Sequence, residues 1–159
     1  MQLYFVRHGI AEDATETMTD AERQLTREGI HRTKTTARAL MEASVKPRRL
    51  FTSPLARAHQ TAEIIAQILD TKVTVRKALS PGFRTEDVAR LIGNLRSDDR
   101  IMFVGHEPDL STIISQLIGG GEVIMKKGSV ARVDVGMIEE GQPLRGALIW
   151  LLPPRLLEK

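Results

Sequence analysis

Leu3-Tyr4-Phe5-Val6-Arg7-His8-Gly9 decides how the rest of the chain is read. Four consecutive apolar residues, followed at once by two basic side chains and a glycine, describe a strand buried on both faces that runs out into a loop. A strand of that kind needs helices above and below it. The segment therefore asks whether the following sequence alternates between helical and strand periods.

It does. Residues 10–25 are polar and acidic without a period. Thr26 then fits an N-cap for a helix carrying Ile30, Thr33, Ala37, Leu40 and Met41. Pro47 breaks the chain, and Leu50-Phe51-Thr52 reads as a second strand. Ser53-Pro54 opens a helix with a capping hydroxyl and a proline at its first position, and its buried stripe is Leu55, Ala58, Ala62, Ile65, Ala66 and Leu69. Val73 to Leu79 is a third strand closed by Ser80-Pro81-Gly82. Thr85 caps a helix with Val88, Leu91, Ile92 and Leu95. Ile101 to Val104 is a fourth, very apolar strand ending in Gly105-His106-Glu107-Pro108. Leu110, Ile113, Ile114, Leu117 and Ile118 line the next helix, which Gly119-Gly120-Gly121 terminates. Val130 to Val135 and Ala147 to Leu152 form an antiparallel pair around a polar turn at Glu139-Glu140-Gly141, and Pro153-Pro154 ends the sheet.

The pattern predicts an α/β fold, a three-layer sandwich with a mostly parallel central sheet of about six strands and helices on both faces. Residues 1–159 read as a single domain, a length that buries a real core without room for two. The net charge is only +3, with 23 Lys and Arg interleaved among 20 Asp and Glu, so nothing singles out nucleic acid as a partner. Without cysteine there are no disulfides, thiolate zinc sites or cysteine nucleophiles. The N-terminus lacks the basic region of a signal peptide and no apolar run reaches membrane-spanning length, so a cytoplasmic location away from membranes is expected.

In open α/β sheets ligands bind beyond the carboxyl ends of the strands, where helix N-termini also point. His8 follows strand one, with Arg7 beside it; Arg57 opens the helix after strand two; His106 follows strand four. Arg57 also lies off the apolar stripe of Leu55, Ala58 and Ala62, which favours a site role over a packing role. Two imidazoles and two guanidiniums at one sheet edge suit a tetrahedral dianion, because arginine matches phosphate oxygens bidentately. Neutral imidazole is a competent nucleophile near neutral pH, and its phosphorylated form stays labile to water. Spacing leaves both His8 and His106 open as that nucleophile. His31 and His59 sit among polar helix residues and read as surface positions, as do Arg48-Arg49 and Lys126-Lys127.

The opening segment, with Thr52-Ser53-Pro54-Leu55-Ala56-Arg57-Ala58 and Val104-Gly105-His106, resembles the histidine phosphatase superfamily, the phosphoglycerate mutase-like fold. The elements occur in order over nearly the whole chain. Within the superfamily, Gln24-Leu25-Thr26-Arg27-Glu28-Gly29 and Val104-Gly105-His106-Glu107-Pro108 look like the SixA-type phosphohistidine phosphatases. The resemblance implies that His8 is the nucleophile and that Arg7, Arg57 and His106 hold the phosphoryl oxygens. It implies no metal and no cofactor.

One departure bears on the substrate. Where most of the superfamily has a carboxylate general acid on a larger insertion after the third strand, this chain has Leu79-Ser80-Pro81-Gly82. An alkoxide leaving group needs a proton delivered to it, whereas an imidazole with a pKa of roughly 6.5 departs with little help. The expected substrate is accordingly a phosphorylated histidine on a signalling protein, such as a histidine phosphotransfer domain. Glu107, Glu12, Glu86 and Asp109 remain candidate acids, with Glu107 equally readable as a helix cap. Two other readings are a small-molecule phosphomonoesterase or mutase, and a non-catalytic phosphate-binding or docking module.

Overall fold

In the computed structural model, which describes residues 1–93, 98–136 and 141–158, the opening segment forms β1, Gln2–Arg7. The chain continues through α1 (Arg27–Glu42), β2 (Arg49–Thr52), α2 (Ala56–Leu69), β3 (Val73–Val75), α3 (Thr85–Ile92), β4 (Arg100–Gly105), α4 (Asp109–Leu117), β5 (Val130–Val135) and β6 (Gly146–Leu152). The six strands make one sheet in the order β3-β2-β4-β1-β5-β6. The first four in that order run parallel, and β5 and β6 are added antiparallel.

This order follows from right-handed crossovers. From β1 the chain steps over one strand position to β2 and on to β3, which puts α1 and α2 on one face. It then turns back to insert β4 between β2 and β1, which puts α3 and α4 on the other. The core divides accordingly. Leu3, Phe5, Phe51, Ile101 and Phe103 point to the face covered by Val88, Ile92, Leu110, Ile113, Ile114 and Leu117. Their alternates Tyr4, Val6, Leu50, Met102 and Val104 meet Ala37, Leu40, Ala58, Ala62 and Ile65. Period-two alternation within a continuous apolar run is what a strand buried on both faces requires.

Phe103 is the hub of the first face. Register places it directly between Phe5 and Phe51, and its ring lies 5.5 Å from Phe5, 5.8 Å from Phe51 and 6.0 Å from Phe83. Truncation would leave a cavity lined by three rings that cannot collapse into it. Phe103→Ala is expected to lower the unfolding free energy by about 3–5 kcal/mol, read from the urea midpoint at unchanged slope.

Several boundaries differ from the sequence reading. The third strand stops at Val75; residues 77–79 form a single 3₁₀ turn closed by Leu79 N–H donating to the Arg76 carbonyl. An edge strand pairing over three positions leaves little to extend it. Helix α2 starts at Ala56 with Leu55 as its N-cap. Ser53, read as the cap, accepts the Leu55 N–H but none from the first turn of the helix. Thr85 is the first residue of α3 and not its cap. Arg84 holds that position and donates its N–H to the Asp87 carboxylate. Met41, assigned to the buried stripe of α1, is half exposed; Thr33, Ala37 and Leu40 are buried as read, joined by Gly29 and Thr36. Leu95, Glu139 and Glu140 lie outside the described residues. Among the described residues no helix is long and apolar enough to cross a membrane.

Helix α1 does begin at its predicted cap: the Thr26 hydroxyl accepts the Gly29 N–H at 3.0 Å. The Thr26 N–H in turn donates to the Ile10 carbonyl at 2.9 Å. That carbonyl presses against the first turn so closely that a Cβ at Gly29 would sit 2.1 Å from its oxygen. Only glycine lets α1 lie against the loop that carries His8.

Candidate active site

The carboxyl ends of β1, β2 and β4 adjoin because β4 was inserted between the other two. His8, immediately after β1, donates its backbone N–H to Gly105 at the end of β4, 3.1 Å away. The Gly128 N–H reaches the Arg7 carbonyl at 3.1 Å and the His8 carbonyl at 3.0 Å. The backbone bearing His8 is thereby held from two sides. A third tie comes from α2, where the Thr61 hydroxyl donates to the Arg57 carbonyl at 2.7 Å and accepts the Gly9 N–H at 3.1 Å.

These ties bring the sequence-selected residues together. Nδ1 of His8 lies 2.8 Å from the Gly9 carbonyl oxygen, an acceptor only, so Nδ1 carries the proton. Nε2 then presents its lone pair, toward which Arg57 Nε donates at 3.3 Å. The His8 and His106 rings stand 5.3 Å apart. Arg57, His8 and His106 are 6%, 7% and 4% exposed. Arg57 therefore belongs to the buried face of α2, with Ala58, Thr61 and Ala62, and not off it as its polarity suggested. Arg7 turns its Nη1 to the Met125 carbonyl at 2.8 Å.

Burial sets the charge state. It drives His8 down to about 3 against the partly opposing hydrogen bond to Gly9, with the neighbouring His106, Arg57 and Arg7 adding to the fall. Burial, then Arg57, lowers His106 to about 4. Both imidazoles are neutral at pH 7, flanked by two guanidiniums.

Two residues at the site carry no signal in the linear pattern. Ser53, fully buried, places its hydroxyl 2.8 Å from His106 Nε2, leaving His106 Nδ1 buried and unpartnered among the described residues. Asp20, on a 3₁₀ turn in the aperiodic segment, takes both remaining nitrogens of Arg57: its carbonyl accepts from Nη1 at 2.7 Å and its carboxylate from Nη2 at 3.0 Å. A Ser-Pro pair reads as a helix start, and an acidic loop reads as solvent; neither reveals what it faces.

A family model described as the histidine phosphatase superfamily (branch 1) matches residues 3–80. An uncharacterized protein of Picosynechococcus sp. is 38% identical over 113 residues, 69% of this chain and 68% of that protein. The chain belongs to the histidine phosphatase superfamily. Its architecture is also that of the protein histidine phosphatase SixA complexed with tungstate, at a TM-score of 0.85 and 24% identity over 99% of this chain and 100% of that one. A mycobacterial glucosyl-3-phosphoglycerate phosphatase superposes at a TM-score of 0.72 with 16% identity, covering 93% and 96%. At such identities the likeness is one of fold. Membership in the histidine phosphatase superfamily makes the protein a hydrolase of the phosphatase class.

For a histidine phosphatase the proton source matters, and the candidate acids fare unequally. The Glu107 carboxylate accepts the Ser111 N–H at 3.0 Å, the helix-cap reading, while its charge acts on Arg7. Asp109 accepts the Gly82 N–H at 2.8 Å. Glu86 lines a cavity between α3, α4 and residues 142–145 together with Thr85, Ser115 and Gln116. Glu12 is exposed on the loop after β1. Residues 76–84 join β3 to α3 without an insertion of lid size.

Proposed function

We propose that the protein removes a phosphoryl group from a protein histidine through a covalent phospho-His8 intermediate. The observation that carries this reading is the state of His8: Nδ1–H anchored on Gly9, Nε2 unprotonated and held toward Arg57. In the first step the Nε2 lone pair attacks phosphorus as the substrate's P–N bond breaks, and its electron pair returns to the leaving imidazole. Arg7, Arg57 and His106 hold the phosphoryl oxygens as charge shifts onto them, and the unpartnered Nδ1 of His106 suits such an oxygen. Water then attacks phospho-His8, releasing phosphate and returning Nε2 to its unprotonated state.

The nature of the leaving group rests on the missing acid. With Glu107 and Asp109 engaged on backbone N–H groups, a site poor in proton donors favours a substrate whose leaving nitrogen needs little help. The structural neighbour named as a protein histidine phosphatase supports the same reading. A phosphohistidine-bearing protein, such as a histidine phosphotransfer domain, is the partner this chemistry fits, in the cytoplasm and as a single domain spanning residues 1–159. The glucosyl-3-phosphoglycerate phosphatase among the structural neighbours supports a second reading, a small-molecule phosphomonoesterase.

The two readings separate on a substrate panel. Rates are compared on a histidine-phosphorylated protein, a sugar phosphate and an aryl phosphate, with and without chelator. The phosphohistidine protein is expected to be hydrolysed with the highest kcat/KM by at least about tenfold, a preference of about 1.4 kcal/mol. A sugar phosphate cleaved far faster would transfer the assignment to the second reading. No turnover of any substrate would leave a phosphate-binding module.

A further inference from the structure

Asp20 stands at the far edge of the Arg57 guanidinium. Arg57 Nε faces His8 Nε2, whereas its Nη1 and Nη2 face the Asp20 carbonyl and carboxylate. In an in-line displacement the leaving group sits opposite the attacking nitrogen, so it departs away from His8 and toward the outside. Asp20 belongs to that outside: its side chain is 58% exposed, although it bonds to a guanidinium that is almost fully buried. The carboxylate is thus a fixed negative charge at the mouth of a site built to take a negative ligand. Beyond orienting Arg57, such a charge favours a ligand that carries a positive charge beside its phosphate.

We propose that Asp20 is a specificity-determining residue that accepts a hydrogen bond from the free ring N–H of a phosphohistidine substrate and holds that ring as the imidazolium. This rests on the reading of the site given above. Oδ1 bonds to Arg23 at 2.8 Å and Oδ2 to Arg57 at 3.0 Å, which leaves each oxygen a further lone pair. When the P–N bond breaks, its electron pair neutralises the imidazolium, and the ring leaves as neutral imidazole with the proton it already carried. No separate proton donor is then required. Asp20 itself remains an anion throughout: hydrogen bonding from Arg23 first, then from Arg57, holds its carboxyl below the usual range, so it is unsuited to be a general acid. Of the other titratable groups nearby, Glu22 on the same turn is occupied by the N–H and hydroxyl of Thr19, and the His106 ring, neutral at pH 7, senses Asp20 across the site.

The test compares wild type, Asp20→Asn and Asp20→Ala on a peptide phosphorylated at histidine with phosphoramidate and on p-nitrophenyl phosphate, which has no cation to recognise. In both variants the ratio of kcat/KM for the phosphopeptide to that for the aryl ester is expected to fall at least tenfold, the aryl ester gaining as Arg57 loses its competing anion. The alkaline limb of the kcat profile on the phosphopeptide, where the bound imidazolium loses its proton, is expected to move about one unit toward acid. A carboxylate that merely positions Arg57 would slow both substrates together and leave that limb in place, and either result overturns the proposal. Wild type inactive on the phosphopeptide would instead remove the phosphohistidine reading, and this proposal with it. Circular dichroism confirms that each variant is folded.

Discussion

Replacing His8 with alanine is expected to lower kcat on every phosphoryl substrate by about 10⁴-fold or more, roughly 5.5 kcal/mol of lost transition-state stabilisation. The size follows from what is removed. Arg57, His106 and Arg7 stay in place and still bind an anion, so KM changes little, but the lone pair aligned by both an anchored Nδ1 and a facing guanidinium is gone. His106→Ala removes an oxygen-holding group while leaving that nucleophile, and is expected to cost about 10²–10³-fold. Equal losses in the two variants would mean that spacing had hidden the true acceptor. Mass spectrometry that avoids acid, applied to rapidly quenched enzyme, is expected to find the phosphoryl group on His8 alone.

The second large effect is on stability. His8 and His106 are lowered to about 3 and about 4 in the folded protein, against roughly 6.5 in an unfolded chain. Between those values the unfolded chain binds more protons, so stability rises with pH there. It is fully present above about pH 6.5 and is lost as the pH falls toward 3. Between pH 7 and pH 4 the two rings together account for a loss on the order of 4 kcal/mol, allowing for water that reaches the site. Urea titrations at both pH values, on wild type and on a double variant carrying His8→Asn and His106→Asn, isolate this share from that of the carboxylates. The double variant is expected to lose far less stability on acidification; parallel losses would show that the rings are not held neutral by burial.

The parts of this protein legible in its sequence are those where one side chain's environment follows from its neighbours along the chain. Leu3 to Val6 and Ile101 to Val104 are buried on both faces, and an uninterrupted apolar run says so directly. Thr26 is a cap because the residue it serves lies three positions away. Arg57 shows where such reading stops. Its place near the start of α2 marks it for the site, but not as a member of the buried face, where it donates to His8, 49 positions back. Ser53 reads as a helix cap, which it is not, and its pairing with His106, 53 positions on, is illegible. Asp20 had no period to place it at all. The end of β3 was missed for a related reason: its length depends on the pairing that β2 offers, not on the apolar content of residues 76–79.

The insertion of β4 between β1 and β2 has a consequence for the order in which this protein comes into being. A nascent chain that has emerged through β3 holds His8, Ser53 and Arg57, but its first two strands are not neighbours, because the position between them is still empty. Two of the backbone contacts that fix His8 are to Gly105 and Gly128, so the nucleophile acquires its place only after roughly a hundred further residues have been made. Closing so long a loop is slow compared with forming local helices. Competence to take a phosphoryl group is thus withheld until β4 has arrived to place His106 and Gly105, and the chain beyond it has supplied Met125 and Gly128 to hold Arg7 and the backbone of His8.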